Sequence, residues 1–335
     1  MDKSNIPVLV TGATGLVGSC LLQHLWQKGY RKLHATRRAN SSLALIGEEL
    51  ANQIQWHEAD LLDMDSLEEA LDGIQQVYHA AALVSFDSRD ASKLRQVNGE
   101  GTANLVNLSL DMGVSAFLHL SSVAALGRNI DRSEPIGEKA IWESSKLNSA
   151  YAISKHLSEM EVWRGVAEGL NACVVNPSVI LGAGFWNQGS SQLVQRIAEG
   201  FPFVPQGGTG FVDVRDVAEA SVALLEGQHF GQRFVLNGFN SSYRALFYQL
   251  ADALEVRRPY IEVGPLLREL AWRLAWLQSR LSGKPAFITR ETARNAAHTW
   301  EYNNRKVLEA LPEFQFRRAE ETVRYVCDAY KSSLR

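Results

Sequence analysis

Residues 6–18 read Ile-Pro-Val-Leu-Val-Thr-Gly-Ala-Thr-Gly-Leu-Val-Gly, and this stretch restricts the fold more than any other. A short β-branched run precedes glycines at 12, 15 and 18, and an apolar segment with Leu21, Leu22, Leu25 and Trp26 follows. That order spells strand, tight turn and helix. Gly12 permits the turn, Gly15 lets backbone approach a pyrophosphate, and Gly18 lets the helix lie close on the strand, with its N-terminal dipole facing the anion. A glycine triplet alone describes many ordinary turns. Its place between a strand and a helix favours a phosphate-binding one.

The segment Lys32–Thr36 reads as a second strand, with Arg37 and Arg38 at its end. An acid at this position binds the ribose 2′-hydroxyl of NAD, whereas arginine suits a 2′-phosphate. No acid occurs from Ala35 to Ser42, so NADP is expected, with NAD the alternative; the competing reading makes both arginines solvated loop residues. Residues 54–58 form a third strand ending in Ala59-Asp60-Leu61, followed by a helix over 64–72. Asp60 either accepts from an adenine amino group or stabilises that helix N-terminus, and spacing does not choose. A fourth strand over Val77–Ala82 ends in three small residues, Ala80, Ala81 and Ala82, as backbone under a cofactor requires.

The periodic segment from Arg89 to Leu110 reads as one helix, and Asn98 and Asn104 within it read as solvent-facing. A fifth strand, 115–120, delivers Ser121 and Ser122 at its carboxyl end, where open α/β sheets hold their ligands. A polar loop over 127–149, a helix from Ala150 and a sixth strand from Ala172 follow. The alternation implies a parallel, doubly wound sheet with right-handed crossovers. Beyond Asn176-Pro177 glycines and prolines break the rhythm, although 211–214 and 233–236 still read as strands, and the last hundred residues are mainly helical.

Tyr151 and Lys155 stand four apart, which on a helix puts them on one face. A phenol with a pKa near 10 is a poor acid or base near neutrality unless a fixed positive charge lowers that value, and Lys155 supplies one. Ser122 then binds a substrate carbonyl while Tyr151 donates the proton that balances an arriving hydride. Tyr302 and Lys306 repeat the spacing, but they lie in the C-terminal helical region, away from the dinucleotide sheet, and read as structural.

A net charge of -3 without basic runs argues against nucleic acid as a partner and leaves small molecules. The eight histidines show no i,i+4 pairing and no neighbouring cysteine, so no metal site is expected; His79 and His119 read as packed strand residues. Cys20, Cys173 and Cys327 read as buried free thiols in a reducing compartment. No signal peptide is visible, so cytoplasmic placement is expected. The stretch Leu266–Leu281 carries Arg268, Glu269, Arg273 and Arg280, too many charges to span a bilayer comfortably. A helix packed on the C-terminal lobe is expected, without a membrane partner; the alternative is a membrane-surface helix, suggested by tryptophans beside arginines.

Taken together, the chain resembles an extended short-chain dehydrogenase/reductase of the epimerase/dehydratase type. The resemblance rests on Thr-Gly-Ala-Thr-Gly-Leu-Val-Gly at 11–18, Asp60-Leu61, the His-Ala-Ala-Ala run at 79–82, Val97-Asn98 with Gly101-Thr102, Ser121-Ser122, Tyr151 with Lys155, Asn176-Pro177 with Gly182, and Phe211-Val-Asp-Val-Arg-Asp-Val. It implies a Rossmann domain over 1–178 and 211–239 and a smaller, mainly helical substrate lobe over 179–210 and 240–335. Catalysis falls to Ser122, Tyr151 and Lys155, with Asn98 in a proton relay. The cofactor falls to Thr11, Gly12, Thr14, Gly15, Leu16, Val17, Gly18, Arg37, Arg38, Asp60, Leu61, Ala80, Ala81, Ala82, Lys155, Pro177, Ser178 and Val179. Val84, Phe86, Phe185 and Trp186 are substrate-side candidates, and a homodimer paired through helices near 89–110 and 150–167 is expected. Asn176 departs from the arginine that many relatives carry there.

Within that family the chain is most similar to the dihydroflavonol reductase and 3β-hydroxysteroid dehydrogenase group. Thr36-Arg37-Arg38 resembles the NADPH-binding end of those reductases, and Val123-Ala124-Ala125 lacks the acidic pair of sugar-nucleotide dehydratases. The function implied is NADP(H)-dependent hydride transfer to or from an apolar ketone, aldehyde or secondary alcohol. The alternatives are a sugar-nucleotide epimerase using the same tyrosine and, less favoured, a cofactor-sensing regulator without catalysis.

Overall fold

The computed structural model describes residues 2–127, 134–145, 148–282 and 289–334, so parts of the polar loop over 127–149 lie outside the described residues. The opening run forms strand β1 (Pro7–Thr11), the glycine turn and the helix Leu16–Gln27. Val8, Leu9 and Val10 are all inaccessible to solvent, because both faces of β1 are covered, as a central parallel strand requires. The remaining strands among the described residues are β2 (Lys32–Arg37), β3 (Gln55–Glu58), β4 (Gln76–His79), β5 (Ala116–Leu120), β6 (Ala172–Pro177), β7 (Val179–Leu181), β8 (Phe203–Val204), β9 (Gly208–Asp213), β10 (Gln232–Leu236), β11 (Phe239–Ser242) and β12 (Ile261–Glu262).

Seven of them form one sheet in the order β10-β6-β5-β4-β1-β2-β3, with every neighbouring pair parallel. The chain moves outward from β1 to β3 on one side and from β4 to β10 on the other. Strand order therefore reverses between β1 and β4, and the crevice at their carboxyl ends is where such a sheet holds a ligand. Alternate residues of β1 feed two cores. Val8 and Val10 join Leu21 and Leu25, with Val217 and Leu224 of the helix Val214–Glu226. Leu9 joins Leu105, Phe117 and Val162 under the helices Gly101–Asp111 and Ala150–Ala167. This is the doubly wound Rossmann sheet expected.

After Pro177 the chain leaves this sheet. β7 pairs in parallel with β9, and β11 runs antiparallel to β9; β8 and β12 form a separate pair. The helices Tyr243–Leu254 and Ala319–Ser333 cover the small sheet through Leu246, Leu250, Val323 and Val326. Of the two late strands read from the sequence, only β10 rejoins the main sheet.

Several elements differ from the sequence reading. The strand expected over Val77–Ala82 stops at His79. The amide of Ala80 donates to the Thr11 carbonyl at 3.3 Å and that of Ala81 to the Thr11 hydroxyl at 3.3 Å, so the chain turns off toward the glycine turn instead of continuing the ladder. The single helix expected over Arg89–Leu110 is broken into a 3-10 turn (Ser88–Asp90), one α turn (Ala91–Leu94), a π segment (Arg95–Glu100) and the helix Gly101–Asp111. The π segment widens the coil where Asn98 turns inward and close packing begins: a Cβ on Gly101 would lie 2.7 Å from Leu61 Cβ. Neither asparagine reads as a plain solvent-facing residue. Asn98 is buried, and Asn104 donates to the Leu61 carbonyl at 3.0 Å.

The helix Pro265–Ser282 forms, but Leu266, Leu270, Leu274 and Leu277 are exposed and do not pack it on the protein. No helix among the described residues is long and apolar enough to cross a membrane.

Candidate active site

The glycine turn is shaped by close backbone approach. Gly12 has φ +64°, and a Cβ there would sit 2.6 Å from the backbone of Ala81, so both conformation and space require glycine. A Cβ on Gly18 would lie 2.2 Å from the Gly12 carbonyl oxygen, which is how the helix comes to lie against the turn. Gly15 caps that helix without any side-chain bond, so its first amides point outward from the carboxyl end of β1. Thr14 and Leu16 are half-buried, with Leu16 against Gly182, while Val17 enters the core. Thr11 is held from beneath: its hydroxyl bonds His79 Nδ1 at 2.8 Å, and His79 Nε2 bonds the Thr102 hydroxyl at 3.0 Å. Burial, with Lys155 adding to it, pushes His79 down to about 3, so the bridge is a neutral imidazole.

At the end of β2, Arg37 is half-buried with its guanidinium 6.0 Å from the Trp56 ring, and Arg38 is exposed in a turn closed by Ser41. Asp60 is exposed and accepts from the Leu62 amide at 2.9 Å, which fixes the turn ahead of the helix Met64–Leu71; Asp63 takes the N-cap position. Leu61 is buried, with its carbonyl held by Asn104. Ala80 and Ala81 lie against the turn, and Ala82 is exposed beyond them. Pro177 ends β6, Ser178 bonds the Leu236 carbonyl through its amide at 3.0 Å, and Val179 begins β7.

Ser122 stands two residues past the end of β5, in extended conformation (φ -162°, ψ 152°), and its Oγ accepts from the Ala124 amide at 3.1 Å. That leaves its O–H free to donate, and it is near enough to the Tyr151 phenol to favour the ionised form. Tyr151 opens the helix Ala150–Ala167, capped by the Ser149 hydroxyl on the Ala152 amide at 2.8 Å. Lys155, one turn on, is 1% exposed, and its Nζ donates to the Leu120 carbonyl at 2.9 Å. Burial pulls its ammonium down to about 8, while the Glu159 carboxylate opposes the fall. The Tyr151 phenol is pushed up by burial, with the Ser122 hydroxyl working the other way. The lowering by Lys155 inferred from spacing is thus not what this arrangement gives, because burial outweighs the influence of Ser122 and an N–H of Lys155 is turned to Leu120.

Asn98 holds this site together from the side. Its Oδ1 accepts from the Leu83 amide at 2.7 Å, and its Nδ2 donates to the Leu83 carbonyl and the Ser154 hydroxyl, both at 2.9 Å. The strap fixes the backbone just before two of the substrate-side candidates. Val84 and Phe86 are exposed, and the Phe86 ring meets Tyr151 edge-on at 5.6 Å. Phe185 lies in the next irregular segment with left-handed backbone (φ 51°). Trp186 is turned toward the C-terminal helix, where it packs edge-on against Tyr330 at 5.1 Å.

Sequence reasoning missed the layer below. Ser121 Oγ donates to Glu159 Oε1, which also accepts from Asn176 Nδ2; that same amide reaches the Ser122 carbonyl at 3.0 Å. Arg233 lies 3.6 Å from the other Glu159 oxygen. The signal was Glu159 itself, an acid four residues after Lys155 and hence on the same buried helix face.

A model of the NAD dependent epimerase/dehydratase family matches residues 8–236, which take in the seven strands of the main sheet apart from Pro7 at the start of β1. Sterol demethylase protein B of Methylococcus capsulatus is 31% identical over 300 residues, covering 87% of this chain and 86% of that protein. A putative dihydroflavonol 4-reductase of Synechocystis sp. is 29% identical over 314 residues, covering 90% and 88%. The crystal structure of gox2253 superposes with a TM-score of 0.82 at 29% identity, over 98% of this chain and 99% of that one. With the sheet order, the glycine turn and the extent of these matches in agreement, the chain belongs to the NAD-dependent epimerase/dehydratase family of extended short-chain dehydrogenase/reductases.

Proposed function

We propose that the protein is an NADP(H)-dependent oxidoreductase acting on a mainly apolar ketone, aldehyde or secondary alcohol. The observation that carries this reading is the placement of Ser122 just past the carboxyl end of β5 and of Tyr151 in the first turn of the helix Ala150–Ala167, one turn from a buried lysine bonded to the last carbonyl of β5. The relative described as a putative dihydroflavonol 4-reductase supports a reductase over other members of the family.

A dinucleotide fits the residues present. Gly12 and Gly18 leave no room for side chains where the turn meets neighbouring backbone, and the uncapped amides after Gly15 suit a pyrophosphate. Arg37 and Arg38 suit a 2′-phosphate. A bound nicotinamide supplies the hydride. The chain does the rest: Ser122 donates to the carbonyl oxygen and Tyr151 delivers the proton to it. Lys155 has three N–H donors, of which Leu120 takes one; the others serve a ribose hydroxyl and the phenol. Val84 and Phe86 provide an apolar rim that favours a hydrophobic substrate. Exposed Leu157 and Met160 on the helix Ala150–Ala167 are the surface a homodimer would cover.

An NADPH-oxidation screen across ketones, aldehydes and sugar nucleotides, with Tyr151→Phe beside it, tests the reading. Oxidation driven by an apolar carbonyl and lost in the variant is expected. Turnover of a sugar nucleotide with cofactor retained and no net NADPH consumption would replace it with an epimerase.

A further inference from the structure

The helix Pro265–Ser282 turns much of its apolar surface away from the protein. Ala271, Ala275 and Ser279, at i, i+4 and i+8, lie on the side turned toward the protein, and Ser279 is buried where Arg89 Nη2 donates to it at 3.3 Å. Leu267 and Trp272 are half-buried, but the other large apolar residues described face away. Leu266 is 88% exposed, and Leu270, Leu274 and Leu277 are 54%, 56% and 49% exposed. At helical spacing these four form one stripe. Arg273 and Arg280 flank it, their guanidinium groups 5.5 Å from the Trp272 ring and 4.9 Å from the Trp276 ring; Arg290 approaches Trp272 at 5.8 Å. Glu269 is paired with Arg273 at 2.7 Å. Three arginines against one glutamate give this helix a net charge of +2 in a chain whose formal net charge is -3.

We infer that this helix docks on an anionic lipid surface, lying in the plane of the bilayer with its leucines among the acyl chains and its arginines at the headgroup phosphates. An apolar stripe bordered by tryptophan and arginine is the chemistry of an interfacial helix. A second copy fits less well, because a twofold contact sets a net positive face against itself, whereas anionic headgroups complement it. The helix lies on the membrane and does not cross it. Arg89, which bonds Ser279, belongs to the segment that carries Val84 and Phe86 beside Tyr151, so docking brings the mouth of the candidate site to the bilayer. The inference does not depend on the proposed reaction.

Flotation of the full chain with phosphatidylcholine vesicles, with and without phosphatidylglycerol, tests it. Binding to the anionic vesicles is expected, weakened by salt and reduced roughly tenfold or more by the pair Leu270→Ser/Leu274→Ser and by Arg273→Gln/Arg280→Gln. Thermal melts of both pairs should match the unmodified chain, since the altered side chains are exposed. Absence of flotation, or flotation of both variants equal to that of the unmodified chain, overturns the inference. So does a lipid-free dimer in sedimentation velocity that the leucine variant dissolves, because a second copy then covers the stripe. Should a variant not fold, the difference in brominated-lipid quenching between the unmodified chain and Trp276→Phe decides: a Trp276 component supports docking and its absence refutes it.

Discussion

Tyr151 with Lys155 and Tyr302 with Lys306 are the same residue types at the same spacing, and the fold treats them differently. The first pair lies within one helix. Its phenol is near enough to Ser122 to be influenced by it, and its ammonium is buried against the last carbonyl of β5. The second pair straddles a helix start. Tyr302 is in extended backbone, bridged to Ile136 and held by Asn240, and the helix Arg305–Ala310 begins only after Asn304. Lys306 points at the Arg233 carbonyl at 2.9 Å and over the Phe234 ring at 4.6 Å. A spacing of four aligns two side chains only where helix runs between them, and alignment becomes chemistry only where a third group waits at the end of a strand.

The largest effect that would break this comparison comes from Tyr151→Phe. It keeps the ring packed on Phe86 and deletes the proposed proton donor, so turnover should fall by at least ~10² while cofactor affinity, read by fluorescence titration, stays within about twofold. Lys155→Met should lower both turnover and cofactor affinity, because it removes a buried donor as well as a charge. Near-normal turnover in the tyrosine variant would place the proton donor elsewhere.

A smaller effect follows from pH. Lys155 is held near 8, below the ordinary lysine value, by burial. Above about pH 8 the folded protein loses this proton while an unfolded chain would keep it up to about 10.4. The unfolded state then binds more protons, so this group's contribution to stability rises with pH through that window. Activity that needs the ammonium should move the other way, with kcat/KM halved near pH 8 and falling about tenfold for each further unit. Thermal melts and rate profiles on the same buffers separate the two trends. A flat rate profile to pH 10 would remove the charge of Lys155 from the mechanism.

The contrast between the pairs also shows what could be read in advance. β1, the glycine turn and the parallel order were legible because each depends on local residue type: β-branched runs buried on both faces, and glycine where backbone meets backbone. The order of Ser122, Tyr151 and Lys155 along the chain was legible for the same reason. The supporting layer was not. Glu159 joins Ser121, Asn176 and Arg233 across three separate elements, and His79 joins Thr11 to Thr102, so only the fold brings them together. By periodicity alone Asn98 looked like a surface residue, and only the family resemblance assigned it to the site; a π segment turns it inward. The stripe of Leu266, Leu270, Leu274 and Leu277 failed in the opposite direction, since an apolar period does not say which side the protein occupies.

Cofactor choice sharpens the comparison at a more modest scale. Arg37→Ala with Arg38→Ala should cost roughly tenfold in NADP(H) affinity, leave NAD(H) affinity unchanged, and keep turnover at saturating cofactor. Lys155→Met, by contrast, should affect both cofactors alike. Equal affinities of the unmodified protein for the two would reject the assignment to a 2′-phosphate.

The smallest expected effects belong to the second pair. Tyr302 is fixed by backbone bonds to Asn237 and Asn240 and packs with Ile136 and Val235, so Tyr302→Phe keeps most of what the residue provides. Turnover should stay within about twofold. Lys306→Met removes one charged donor from the Arg233 carbonyl and a cation from the face of Phe234, together worth about 1 kcal/mol and visible as a drop of about 2 °C in Tm. One route connects this site to the first pair: Arg233 lies beside Glu159, and Glu159 holds Asn176, whose amide reaches the Ser122 carbonyl. If Lys306→Met lowered turnover as Lys155→Met should, Arg233→Met should lower it further, and the two pairs would be coupled through Glu159. Turnover unchanged in Lys306→Met leaves them as the same spacing put to separate uses, one at the carboxyl end of β5 and one bracing the backbone of β10.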